Sequence, residues 1–112
     1  FGKRIIEFQA IAHKLAEMRI QVEAARALLY RVCALADSGE THGLAEYASC
    51  AKAFASSAAM QITTEAVQVF GGAGYLRDNP VERMMRDAKV TQIYEGTTEI
   101  QKLIISRAMM AA

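Results

Sequence analysis

The sequence is poor in the residues that break or staple a chain: one proline and two cysteines in 112 residues. Two cysteines are too few for a disulfide scaffold. Cys33 and Cys50 both lie among alanines on helical patterns, which reads as buried thiols in a reducing compartment. Charge of one sign is also missing. Thirteen basic and 12 acidic side chains leave a net charge of +1, too little field to gather phosphates, which argues against a basic nucleic-acid binder. No apolar run reaches the roughly 18 residues of a membrane-spanning helix. No segment alternates with period two, so no sheet is expected. Apolar residues make up 53% and charged residues 22%, a balance that excludes intrinsic disorder. The opening Phe1-Gly2-Lys3-Arg4 carries neither a signal-peptide apolar region nor an initiator Met, and reads as a cut inside a longer protein.

What is present is helical periodicity, punctuated by glycine. Phe8, Ile11, Leu15, Met18, Val22, Ala25, Leu29 and Val32 recur every three or four residues, predicting one long helix over residues 3–36. Asp37-Ser38-Gly39 stops it, with Gly39 as a left-handed cap. After a short polar connector, Leu44, Tyr47, Ala51, Phe54, Ala58, Ile62, Ala66 and Val69 mark a second helix over 44–70. It is dense in Ala and Ser, which suits close helix packing and a subunit interface alike. Gly71-Gly72-Ala73-Gly74 breaks it. Asn79, as N-cap, and Pro80 then start a third helix with Met84, Met85 and Ala88 inward. A last helix follows Thr97 or Thr98, with Ile100, Leu103, Ile104 and Ala108 as its apolar face. Two long and two short helices joined by short loops predict an all-α, antiparallel four-helix bundle.

Several familiar chemistries are absent from this sequence. Gly72-Ala73-Gly74 is followed by Arg77 where a dinucleotide-binding turn needs its third glycine, and no strand precedes it. There is no phosphate-binding loop, no His-Glu-x-x-His, no Glu-x-x-His pair for a di-iron bundle and no nucleophile elbow. His13 and His42 stand far apart without partners at ligand spacing, so no metal site is expected. The unusual segment is Ile93-Tyr94-Glu95-Gly96-Thr97. Just before a helix, Glu95 reads as a carboxylate favoured by the helix dipole, or as a general base held in a desolvated loop.

Four motifs occur in order: Phe1-Gly2-Lys3 with Phe8-Gln9; Gln68-Val69-Phe70-Gly71-Gly72-Ala73-Gly74-Tyr75; Arg86-Asp87-Ala88-Lys89; and Ile93-Tyr94-Glu95-Gly96-Thr97-Thr98-Glu99-Ile100-Gln101. Together they resemble the C-terminal domain of acyl-CoA dehydrogenases, and the resemblance spans essentially the whole chain. It implies that residues 1–112 are the C-terminal helical domain of a protein whose N-terminal helical and middle β-domains lie outside this sequence. It implies an FAD-dependent enzyme that converts a fatty acyl-CoA to the trans-2-enoyl-CoA. Glu95 matches the base that takes the α-proton while the β-carbon gives a hydride to flavin. A glutamate in this loop favours the short-chain, medium-chain, short-branched or glutaryl-type branches, and Thr98-Glu99-Ile100-Gln101 resembles the butyryl-type enzymes.

The resemblance assigns further roles, each beside a plainer one. Tyr94 matches a position lining the acyl pocket, or is ordinary aromatic core. Gly96 lets substrate pass close to the backbone, or is a turn glycine. Thr97 and Glu99 match contacts to the adenosine diphosphate portion of the flavin, and Thr97 also suits an N-cap. A carboxylate repels a pyrophosphate, so Glu99 is expected at ribose or adenine. Gln9 and the stretch Gln68, Phe70, Gly71 and Gly72 match contacts to the FAD of a neighbouring subunit, with Phe1 packing nearby. Arg86 and Asp87 read as a structural ion pair. The implied partners are an acyl-CoA thioester, an electron-transfer flavoprotein and further copies of the chain in a dimer or tetramer. No nucleic acid and no membrane span are expected. The implied compartment is the cytoplasm of a bacterium or the mitochondrial matrix of a eukaryote. Competing readings are a helical oligomerisation module without catalysis, which the Ala/Ser-rich helix suits, and an acyl-CoA oxidase-like flavoprotein.

Overall fold

The computed structural model describes residues 1–111, and these are all-α. One 3-10 turn, Ile5–Glu7, precedes α1 (Gln9–Asp37) and α2 (Leu44–Phe70). α3 (Gly72–Tyr75), α4 (Val81–Thr91) and α5 (Thr98–Ala111) complete the order. There is no strand among the described residues. The expected bundle of two long and two shorter helices is therefore present, with one additional turn, α3, made by the glycine cluster itself.

The first helix does not run unbroken from residue 3. Phe8 is extended (φ −86, ψ 123), and the Arg4 N–H donates to the Glu7 carboxylate at 3.0 Å, closing a separate turn. A local side-chain acceptor here competes with the helix ladder. The far end follows expectation: Gly39 has φ +76, and the N–H groups of Ser38 and Gly39 return to the carbonyls of Ala34 and Ala36.

α1 and α2 are antiparallel. Lys14 pairs with Glu65 near one end, and the Arg31 guanidinium lies 4.5 Å from the Tyr47 ring centre near the other. α2 is the hub on which α1, α4 and α5 all pack, whereas α4 and α5 make no close backbone approach to each other or to α1. The last two helices thus divide α2 between them rather than folding back as a hairpin. The small residues of α2 make this possible. The best-buried positions are Ser49, Ala51, Ser56 and Ala58 on α2, Val81 and Ala88 on α4, and Gln101 on α5. Ser56, Thr63 and Thr64 turn their hydroxyls back to carbonyls of their own helix, so these polar side chains need no partner elsewhere.

Several local expectations are corrected. Pro80, not Asn79, occupies the cap position of α4, and Asn79 instead donates its side-chain amide to the Ala73 carbonyl at 2.8 Å. Arg86 binds Glu82 through two nitrogens at 2.9 and 3.2 Å, not Asp87. Residues four apart share a helix face, whereas adjacent ones point about 100° apart. Met84, Ile100 and Leu103 are exposed, Ile104 and Ala108 are half-buried, and the most buried side chain of α5 is Gln101. Cys33 is exposed rather than buried, and Cys50 is partly covered. Gly74 is enclosed: a Cβ there would lie 2.6 Å from Phe70 Cβ and 2.8 Å from the Val67 carbonyl oxygen. Only glycine lets α3 fold this tightly onto the end of α2.

Candidate functional site

The α4–α5 junction is where the chain departs furthest from regular geometry. α4 ends with the N–H groups of Gln92, Ile93 and Tyr94 returning to Lys89 and Val90. The Gln92 carbonyl then accepts the Thr98 N–H at 3.0 Å, closing a loop and turning residues 94–96 outward. Glu95 has φ +53, the one non-glycine residue with positive φ among the described residues, and Gly96 follows with φ +87. Two consecutive left-handed residues, one bearing a Cβ, cost conformational energy that neighbouring contacts must offset.

Those contacts come from two side chains. Lys52 on α2 donates its ammonium to the Gly96 carbonyl at 2.6 Å. The buried Gln101 amide donates to the carbonyls of both Glu95 and Gly96 at 3.2 Å. Thr97 caps α5, its hydroxyl oxygen accepting the Ile100 N–H at 3.4 Å. The Glu95 main-chain N–H makes no hydrogen bond among the described residues. The loop therefore presents an exposed carboxylate and an unused N–H donor from one residue.

Glu95 and Tyr94 border a cleft of about 410 Å³ whose remaining lining is Lys52, Ala55, Ser56, Ala59 and Thr91. Small residues of α2 form its floor, and Glu95 is the one carboxylate on it. Tyr94 is exposed at the rim rather than part of the core. A second cleft of about 320 Å³ borders the same loop, lined by Ser57, Lys89, Gln92, Ile93, Thr97, Thr98, Glu99 and Lys102. Two ammonium groups and the start of a 14-residue helix make this cleft suited to anionic groups. Glu99 itself stays below the usual carboxylate range. Its own N–H and the Thr97 hydroxyl bond to it, and Lys102 and Lys89 add opposite charge.

The other site candidates lie elsewhere. The antiparallel register of α1 and α2 brings Gln9 to the end of α2 that carries Gln68, Phe70, Gly71 and Gly72, and all five are exposed. Phe1, also exposed, packs edge-on against Phe8 at 6.0 Å between ring centres at this end. Gln68 is 16 residues along α2 from Lys52, or about 24 Å of helix. The sequence candidates thus fall into two groups, one at the Glu95 loop and one at the end of α2. Sequence reading overlooked Lys52 and gave Gln101 no individual role. The available signals were a lone cation inside an Ala/Ser stripe and an amide placed where an apolar residue was expected. Among the described residues no group of three metal-ligating side chains is assembled, and no helix is long and apolar enough to cross a membrane.

Residues 1–110 match the family model described as acyl-CoA dehydrogenase, C-terminal domain. Over 110 residues the chain is 54% identical to the probable acyl-CoA dehydrogenase FadE25 of Mycobacterium tuberculosis, covering 98% of this chain and 28% of that protein. The structure of butyryl-CoA dehydrogenase from Megasphaera elsdenii superposes with a TM-score of 0.93 at 49% identity, covering 98% of this chain and 28% of that one. A chain from the structure described as the electron transferring flavoprotein of Acidaminococcus fermentans also gives 0.93, at 47% identity, covering 100% of this chain and 29% of that one. The chain spans about 28% of the length of the curated relatives it matches.

Proposed function

This chain belongs to the acyl-CoA dehydrogenase family, as its C-terminal domain, and we propose that Glu95 is the base with which the full-length protein desaturates an acyl-CoA thioester to the trans-2-enoyl-CoA. The observation that carries the reading is the Glu95 loop. Its carboxylate borders a cleft floored by small residues, on a backbone held in a left-handed conformation by Lys52 and Gln101. The acidity of an α-C–H is far too low for a solvated carboxylate to exploit. The thioester carbonyl must be polarised as the proton leaves. Glu95 supplies both parts: its carboxylate accepts the α-proton, and its unused main-chain N–H is available to the carbonyl oxygen. Gly96 presents no Cβ to the passing thioester, and Tyr94 lines the acyl side of the cleft.

The chemistry needs a hydride acceptor, and the residues fit FAD. When bound, FAD would supply the two-electron acceptor for the β-hydride. Thr97 and Glu99 would hold its adenosine diphosphate portion at the second cleft, where the Lys89 and Lys102 ammoniums favour an anion. The ionised Glu99 would repel the diphosphate and so suit ribose or adenine. Phe1, Gln9, Gln68, Phe70, Gly71 and Gly72 would serve the FAD of a neighbouring subunit. Their separation from the Glu95 loop by half of α2 supports two flavins rather than one. The full-length protein is accordingly a homo-oligomer, dimer or tetramer, that passes electrons to an electron-transfer flavoprotein. Its substrate class is short-chain, supported by the Thr98-Glu99-Ile100-Gln101 continuation and by the likeness to a butyryl-CoA dehydrogenase.

The test is anaerobic addition of butyryl-CoA to the full-length protein. The oxidised-flavin absorbance should bleach, and Glu95→Gln should keep FAD and acyl-CoA binding while slowing bleaching by at least about a hundredfold. A Glu95→Gln protein that bleaches at the parent's rate places the base elsewhere. A flavin band that survives short, medium and branched acyl-CoAs alike favours the oligomerisation-module reading, which the many exposed apolar side chains also support.

A further inference from the structure

We propose that Lys52 is a positioning residue for the reaction: its ammonium pins the Gly96 carbonyl and thereby fixes the direction in which the Glu95 side chain leaves the loop. The proposal rests on the reading of Glu95 as the base.

The first argument is where the charge is spent. Lys52 and Glu95 line the same cleft, and an ammonium beside a carboxylate ordinarily pairs with it. Lys52 makes no ion pair among the described residues. Its bond goes to an uncharged main-chain oxygen at 2.6 Å, 44 residues further along the chain. Such a charge-assisted bond is about twice as strong as one between neutral groups. It also leaves the Glu95 carboxylate without a cation bound to it.

The second argument is what the bond restrains. Glu95 at φ +53 and Gly96 at φ +87 occupy a conformation that a residue with a Cβ adopts seldom. The two carbonyls that follow the Glu95 Cα both turn toward the protein. Gln101 donates to each, and Lys52 completes the second acceptor of Gly96. With both following peptide groups held, the Cα–Cβ bond of Glu95 has one direction. Gln101 spans the two carbonyls from α5, so Lys52 is the restraint that ties the loop to α2, the helix that floors the cleft. A side chain of similar length without donors keeps the packing of the stem and loses the restraint.

The experiment uses the full-length, FAD-loaded protein and follows flavin reduction by butyryl-CoA and by α-deuterated butyryl-CoA. Lys52→Met should slow reduction by about ten- to a hundredfold, the scale of a small misplacement of a reacting group. FAD content and KM should hold, and the α-deuterium isotope effect should rise as proton transfer becomes limiting. Lys52→Arg, which still donates, should return to within a few-fold of the parent. On a Glu95→Gln background Lys52→Met should cause no further loss, because placement of the base no longer matters. Lys52→Gln, too short to reach, should repeat the Lys52→Met result and covers the case in which that variant does not fold. The proposal is overturned if both variants reduce flavin at the parent's rate, if their losses only track lost FAD, or if the losses multiply on the Glu95→Gln background. If Glu95→Gln alone keeps the parent's rate, the base assignment fails and this proposal with it. A slow Glu95→Gln beside an unchanged Lys52→Met overturns only the role of Lys52.

Discussion

Glu95 and Gly96 depend on each other in a way that neither residue's type reveals. Gly96 carries φ +87, and a Cβ placed there would sit 2.8 Å from Gln101 Nε2, the amide that holds both loop carbonyls. Gly96→Ala therefore meets backbone strain and the loss of a buried hydrogen-bond partner together. It should cost about 1–3 kcal/mol of stability. Because the amide it displaces also orients Glu95, flavin reduction in the full-length protein should fall as well. Thermal melting and stopped-flow reduction of the same variant check both outcomes, and an unchanged melting temperature counts against the constraint. Thr97 caps α5 through the Ile100 N–H, as its position predicts, and it borders the cleft beside Glu99.

At the scale of elements, α4 is held at its start by charge. Glu82 stands in its first turn, where the helix dipole favours a carboxylate, and it takes two hydrogen bonds from Arg86 one turn later. These bonds, with the positive charge of Arg86, Arg77 and Arg83, hold the Glu82 carboxyl below its ordinary value. Between that lowered value and the unfolded value the unfolded chain binds more protons. The contribution to stability is therefore complete above the unfolded value and is lost as pH falls through the folded one. The difference in melting temperature between the parent and Glu82→Gln should be full above about pH 5 and shrink as the solution is made more acidic. A difference that stays constant through the acid range argues against a charged pair. The same helix shows why the Arg86–Asp87 reading failed. Helical neighbours in space are three or four residues apart, so a charged pair adjacent in sequence is split between faces.

The whole molecule is extended, with axes of 57 × 24 × 24 Å and a radius of gyration of 17.2 Å. A compact chain of this length has a radius near 13 Å. Its accessible surface is 7925 Å², whereas a globular monomer of this size exposes roughly 6,000 Å². The excess includes large apolar side chains such as Ile20, Leu29 and Tyr30 on α1 and Met109 and Met110 on α5. Exposed apolar area on this scale marks surfaces that other parts of a protein cover. The isolated 112-residue chain should therefore sediment as concentration-dependent oligomers. It should form no enoyl-CoA from butyryl-CoA with added FAD, since one face of the cleft is open. Monomeric sedimentation at micromolar concentration, or enoyl-CoA in the product, contradicts this view.

By itself the sequence determined the two long and two shorter helices and the loops between them, because apolar spacing, glycine and proline act within a few residues of themselves. Gly39 as a left-handed stop and Thr97 as a cap were legible for that reason, and the loop motif around Glu95 was legible as a resemblance. Tertiary structure alone decided which side chains hold that loop. Lys52 meets Gly96 across 44 residues, and Gln101 turns inward where an apolar face was expected, because two left-handed carbonyls needed buried donors. It also decided that Met84, Ile100 and Leu103 face outward. Periodicity identifies an apolar stripe, but which part of the stripe is covered depends on where neighbouring helices lie. That placement follows from packing on the small residues of α2, summed over contacts too distant in sequence to be read locally.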